Sequence, residues 1–140
     1  MKTRLLCALC AFFPLSLLAA KVHKVTPVTT DKDIRIEVML SAEANESLSL
    51  DAVITHARNK VILCNHSGEF YFKNKVDTTV VWKIDQLTPE LWSPVNPALY
   101  DLEIKAGTET FHKRIGFRKF EMRGGVFYLN DKPVYLRGNA

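Results

Sequence analysis

Side chains able to do chemistry are thinly spread along this sequence. Cys64 and His66 stand two apart with His56 close by, the beginning of a metal-binding pattern. Zinc sites take three or four ligands at recognisable spacings, and this trio lacks the rest of such a set. A buried thiol beside a turn histidine is the expected reading. Glu90, Glu103, Glu109 and Glu121 are acid–base candidates, yet each falls on an outward strand position or in a loop, where a solvated carboxylate is expected. Asn45-Glu46-Ser47 and Asn65-His66-Ser67 match the N-glycosylation acceptor, which matters only in a eukaryotic secretory pathway. No glycine-rich phosphate loop is present. The sequence therefore assigns no catalytic, cofactor-binding or metal-ligating residue.

The segments that carry these residues alternate with period two. "DIRIEVML" sets Ile34, Ile36, Val38 and Leu40 against Arg35 and Glu37. "SLSLDAVI" does the same with Leu48, Leu50, Ala52 and Ile54, and "VDTTVVWKI" with Val76, Thr78, Val80, Trp82 and Ile84. "ALYDLEIKA" and "TFHKRIGF" continue the pattern. Such alternation marks strands with one face buried and one in water. With "VHKVTPV" and "VILC" (Val61 to Cys64), about seven strands are predicted. Polar connections are expected at Ala42–Asn45, Ala57–Lys60, Asn65–Gly68, Phe72–Lys75 and Ala106–Glu109. A lone sheet would leave an apolar face wet, so the fold class is an all-β antiparallel sandwich. Ile36 and Trp82 are core by pattern.

The first twenty residues differ. "MKTRLLCALCAFFPLSLLAA" has two cations, an apolar stretch and small terminal residues, the layout of a secretory signal peptide. Cleavage is expected after Ala20, with Leu18 a poor fit to the small-residue rule. The run is too short and too proline-broken to favour a membrane anchor, so an exported protein, periplasmic or extracellular, is expected, free of the membrane after cleavage. The net charge of +4 loses the two charges of Lys2 and Arg4 and becomes +2. The remaining cations are scattered, with no basic stripe for nucleic acid. Cys64 is then the only cysteine, so the core, and no internal disulfide, must hold the domain.

Two segments stand apart from the strand pattern. "LTPELWSPVNPALY" carries Pro89, Pro94 and Pro97, which forbid regular ladder pairing. Thr88-Pro89-Glu90 is suited to a single helical turn, with Thr88 as N-cap. Leu91, Trp92 and Leu99 predict packing across the end of the sandwich. "GVFYLNDKPVYLRGNA" reads as a hairpin, Val126–Leu129 and Pro133–Leu136 around Asn130-Asp131, and Met122–Gly125 reads as a turn.

These two segments carry a family resemblance. Leu91-Trp92-Ser93-Pro94, Asn96-Pro97, Leu99-Tyr100, Gly116-Phe117-Arg118, Phe127, Leu129-Asn130, Lys132-Pro133 and Leu136-Arg137-Gly138 occur in the order in which glycoside hydrolase family 2 carries similar motifs. That group includes β-galactosidases, β-mannosidases and β-glucuronidases. The resemblance spans roughly the last fifty residues, while 21–87 match only as a strand pattern. After the signal peptide at 1–20, it implies an immunoglobulin-like sandwich at 21–118 and, at 119–140, a linker and hairpin that would open a (β/α)8 catalytic barrel.

Retaining glycosidases need two carboxylates roughly 5–5.5 Å apart. The resemblance places both on later barrel strands, so this chain is expected to be inactive alone. Its partner would be the barrel, with carbohydrate reached only through that domain. Arg118 and Arg137 would tie sandwich to barrel. Two features depart from the family pattern: the signal peptide is expected to run straight into the sandwich, where the family usually has a jelly-roll domain first, and Asn139 directly follows Gly138. The alternative is a stand-alone secreted sandwich that binds protein or glycan.

Overall fold

The computed structural model describes residues 20–135. The signal-peptide assignment, Leu136-Arg137-Gly138 and Asn139 therefore fall outside the described residues, Ala20 excepted. Ten strands follow one another: β1 (Lys21–Thr29), β2 (Ile34–Ala42), β3 (Glu46–His56), β4 (Ile62–Phe72), β5 (Val76–Ile84), β6 (Tyr100–Ala106), β7 (Glu109–Ile115), β8 (Phe120–Arg123), β9 (Val126–Leu129) and β10 (Lys132–Val134).

The first seven strands make the sandwich. One sheet has the order β1-β2-β5 and the other β4-β3-β6-β7, with every pairing antiparallel. The alternating positions predict the inner faces. Ile34, Ile36, Val38 and Leu40 from one sheet meet Leu48, Leu50, Ala52, Ile54, Leu102 and Ile104 from the other in a single buried cluster. Each buried aliphatic side chain contributes about 1.5–3 kcal/mol. Ala20 joins this cluster, and its N–H donates to the Ser47 carbonyl at 3.5 Å.

Two local expectations are corrected. Asn65–Gly68 is no connection, because β4 runs straight through it. Gly68 pairs with Leu50 and faces inward, where a Cβ would lie 2.8 Å from the Trp82 indole nitrogen. Its glycine makes room for Trp82 of the opposite sheet and does not serve a turn. Thr88-Pro89-Glu90 forms no helical turn; the segment is irregular and leads into a parallel bridge between Leu91 and Phe117.

Strands β8, β9 and β10 form a separate three-stranded sheet in the order β10-β9-β8. Both of its turns have two consecutive residues with positive φ, Gly124-Gly125 (56° and 80°) and Asn130-Asp131 (52° and 67°). That is the mirror-image turn whose twist suits a two-residue hairpin. The second hairpin was legible in the sequence; β8 as a third strand was not.

Candidate functional site

The loop between β5 and β6 covers one end of the sandwich and is pinned at successive points. The N–H of Leu87 donates to the Lys32 carbonyl at 2.8 Å, and that of Glu90 to the Tyr100 hydroxyl at 2.8 Å. The Glu90 carboxylate is engaged at both oxygens. One accepts from Asn96 Nδ2 at 2.8 Å and the other lies 2.9 Å from His56 Nε2. His56 Nδ1 faces the N–H groups of Arg58 and Asn59 at 3.2 and 3.4 Å, so it is the acceptor and Nε2 carries the proton given to Glu90. The bonds from Asn96 and His56, with the nearby positive charge of Arg58 adding to them, hold the Glu90 carboxyl below its ordinary pKa. His56 stands edge-on to Tyr100, which stands edge-on to the fully buried Phe117.

Trp92 links this loop to the terminal sheet. Its N–H donates to the Phe117 carbonyl at 2.7 Å. Its side chain lies against Gly116, where a Cβ would come 3.3 Å from the Trp92 Cβ and 3.4 Å from its ring, and the Arg118 guanidinium sits 5.3 Å from the ring centroid. The Gly116 carbonyl accepts from the Thr29 hydroxyl at 2.7 Å, which fixes the segment to β1. From the other side comes Asn130. Its Nδ2 donates to the Trp92 carbonyl at 2.9 Å, its Oδ1 accepts from the Lys119 N–H at 2.9 Å, and its own N–H donates to the Lys119 carbonyl at 2.7 Å. One left-handed asparagine thus ties the hairpin turn to the loop through Trp92 and to the residue that leads into β8 through Lys119.

The terminal sheet has two unlike faces. The register places Phe120, Met122, Phe127, Leu129 and Val134 on one face. Phe120 and Phe127 stack at 5.5 Å. On the other face Arg123 bonds Glu121 at 3.0 Å and lies 4.1 Å over the Tyr128 ring. The apolar face is not covered by the sandwich: Phe120 is 51% and Met122 63% exposed, and none of its residues joins the core.

The candidate residues read from the sequence scatter. Glu103 lies on β6 within 4.0 Å of Lys105 and 3.9 Å of His112, Glu109 opens β7, and Glu121 lies on β8. Cys64 and His66 share the inner face of β4. Cys64 packs against the core, its pKa raised by burial, and His66 stacks near Trp82 at 5.6 Å. His56 turns instead to Glu90. Among the described residues, no group of three or more His, Cys, Asp or Glu is placed to hold a metal ion. Sequence reasoning missed the His56–Glu90–Asn96 cluster and the Asn130 tether. A signal existed for the second only, an asparagine in a turn that requires positive φ.

Residues 20–118, the sandwich with the loop and its exit segment, match the family model of the glycosyl hydrolases family 2. The chain belongs to this family. Relatives of this family 2 domain include a β-galactosidase of Staphylococcus xylosus, 29% identical over 113 residues, which are 76% of this chain and 11% of that protein. Another is a β-galactosidase of Halalkalibacterium halodurans, 37% identical over 71 residues, covering 46% of this chain and 7% of that protein. The fold is shared with a family 2 member from Bacteroides cellulosilyticus, with TM-score 0.65 and 23% identity over 81% of this chain and 16% of that one. It is shared also with a β-glucuronidase of Parabacteroides merdae, at TM-score 0.59 and 19% identity over 85% and 16%. The family 2 domain thus spans between about a fifteenth and a sixth of the length of these proteins.

Proposed function

We propose that this chain is the non-catalytic sandwich portion of an exported glycoside hydrolase, and that it braces and orients a catalytic barrel joined to it through the terminal sheet. The carrying observation is the uncovered apolar face of β8–β10, joined to the loop over the sandwich end by the Asn130–Trp92 bond. A sheet with one dry face is stable only when that face is covered. The length of the matched relatives, up to about fourteen times the segment they share with this chain, supplies a domain to cover it. The signal-peptide pattern of residues 1–20 supports export. The parent enzyme would hydrolyse O-glycosidic bonds with carboxylates carried on its barrel.

Reading the gene beyond codon 140 tests the assignment. An open frame with barrel periodicity is expected, and a stop followed by unrelated sequence refutes it. In parallel, purified residues 21–140 should give no turnover of aryl-glycosides, while a chain lacking 119–140 should stay folded and lose affinity for apolar dyes. Turnover above background would show that the catalytic groups lie within this chain.

A further inference from the structure

Export would give this chain a new beginning. Cleavage after Ala20 leaves Lys21-Val22-His23 at the amino terminus, with the α-amine of Lys21 free. A histidine in third place, with no proline in second, offers four nitrogens that can lie in one plane: the amine, the Val22 and His23 amide nitrogens, and imidazole Nδ1. Four nitrogens in a plane suit Cu(II) and Ni(II), with copper preferred. The set draws on one side chain only, so it forms no cluster of His, Cys, Asp or Glu among the described residues.

The structure favours that use of His23. Lys21 pairs with Ser41, Val22 with Leu40 and Lys24 with Met39, so His23 is the extra residue of a β-bulge. The bulge stands the imidazole on the exposed side, with Nε2 2.6 Å from the Ser41 hydroxyl. Ser41 accepts from Nε2–H in the tautomer that leaves Nδ1 unprotonated, and Nδ1 has no hydrogen-bond partner among the described residues. An outer partner on one ring nitrogen fixes the tautomer that ligates through the other. His23 and Ser41 line an open depression with Asp77, whose carboxylate adds negative charge beside an incoming cation. The bulge also limits what must move. Coordination through the Val22 and His23 amide nitrogens draws the first three residues out of the ladder, but only two cross-strand pairs precede the bulge. Ala20, the residue removed, brings a methyl group and one long N–H bond of 3.5 Å to the Ser47 carbonyl. The main cost is Val22, 5% exposed, which must leave the core.

We propose that the exported chain binds a square-planar divalent cation, Cu(II) or Ni(II), at its new amino terminus through Lys21, Val22 and His23. The inference rests on the export given under Proposed function and on none of the glycosidase reading. Binding releases the two amide protons, and that of the terminal ammonium, to solvent. Burial of Val22 sets the affinity below that of a free Lys-Val-His peptide, which has nothing to unfold, by roughly ten- to a hundredfold.

The test expresses the full chain, residues 1–140, in a secreting bacterium, and intact mass gives the amino terminus of the exported product. That product is titrated with nickel chloride while the yellow absorption of square-planar Ni(II) is followed. Saturation of a single site is expected. His23→Ala should abolish the band. So should a glycine placed between Ala20 and Lys21, which moves the histidine to fourth place and leaves its imidazole intact. Val22→Ala should tighten binding severalfold, toward the free peptide, which a site on the undisturbed strand would not do. Circular dichroism checks each fold. A product beginning at Lys21 that gives no yellow band, or a band that survives the added glycine, overturns this inference while export stands. A product cut at another bond lacks the motif and also overturns the inference alone. A chain that keeps residues 1–20 and is not exported overturns both.

Discussion

Replacing Asn130 by alanine should release the terminal sheet from the sandwich without unfolding either. The carboxamide makes two hydrogen bonds, to the Trp92 carbonyl and from the Lys119 N–H, and both are partly buried. Each is worth about 1 kcal/mol net. Asn130 also sits at φ 52°, a region that costs an ordinary side chain roughly 1 kcal/mol and that asparagine tolerates. Only the Trp92 bond joins the terminal sheet to the loop, so its loss of about 1 kcal/mol gives roughly a fivefold rise in the fraction of molecules with the sheet detached, while the Lys119 bond and the backbone cost, about 2 kcal/mol together, weaken the turn itself. Asn130→Gly keeps the backbone freedom, so it should detach the sheet to the same extent and weaken the turn less, by about 1 kcal/mol. Native-state hydrogen exchange reads this directly. The amide of Lys119, whose acceptor is Asn130 Oδ1, should exchange faster in the order Ala, Gly, wild type, while those of β2 and β3 keep their protection. Unchanged exchange at Lys119 in the alanine variant would refute the role given to Asn130. So would a uniform rise across the sandwich, which would mean that the terminal sheet belongs to the cooperative core.

Ile36→Ala, at a fully buried position of the central strand β2, should cost about 2–5 kcal/mol in urea unfolding, whereas Val81→Ala on the exposed side should cost far less. Acid should loosen the loop. The folded carboxyl of Glu90 titrates below its ordinary value, so its contribution is complete above the usual carboxylate range and is lost as pH falls through the depressed folded value. Protection of the Asn96 and Glu90 amides, measured against their intrinsic exchange rates at each pH, should therefore fall on acidification, and Glu90→Gln should flatten that dependence. Because Glu90 is exposed, high salt should shrink the effect.

The sandwich was legible wherever a strand buries one face and wets the other. β2, β3 and β6 were read with the correct inward residues because their cross-strand neighbours enforce the alternation. β4 was misread because an edge strand tolerates Asn65, His66 and Ser67, and a glycine chosen for room under Trp82 has the same letter as one chosen for a turn. The helical turn at Thr88 failed because local capping preference lost to tertiary bonds: the Glu90 N–H goes to Tyr100, and its carboxylate to His56 and Asn96. Residues so far apart in sequence leave no spacing to read. The hairpin at Asn130-Asp131 was legible because the turn itself demands those residue types. Its role as a tether was not, because Trp92 lies 38 positions away.

Gly68 has a consequence for how this domain tolerates change. It sits at the rim of the molecule, on a strand with no neighbour on one side, where replacements are usually accepted freely. Yet the indole lying over its backbone leaves no space even for a methyl group. In a saturation library position 68 should be among the most restricted of the border sites, admitting other residues only when Trp82 shrinks along with it. A constraint imposed from the far sheet would then show up as paired drift at two sites that belong to opposite layers.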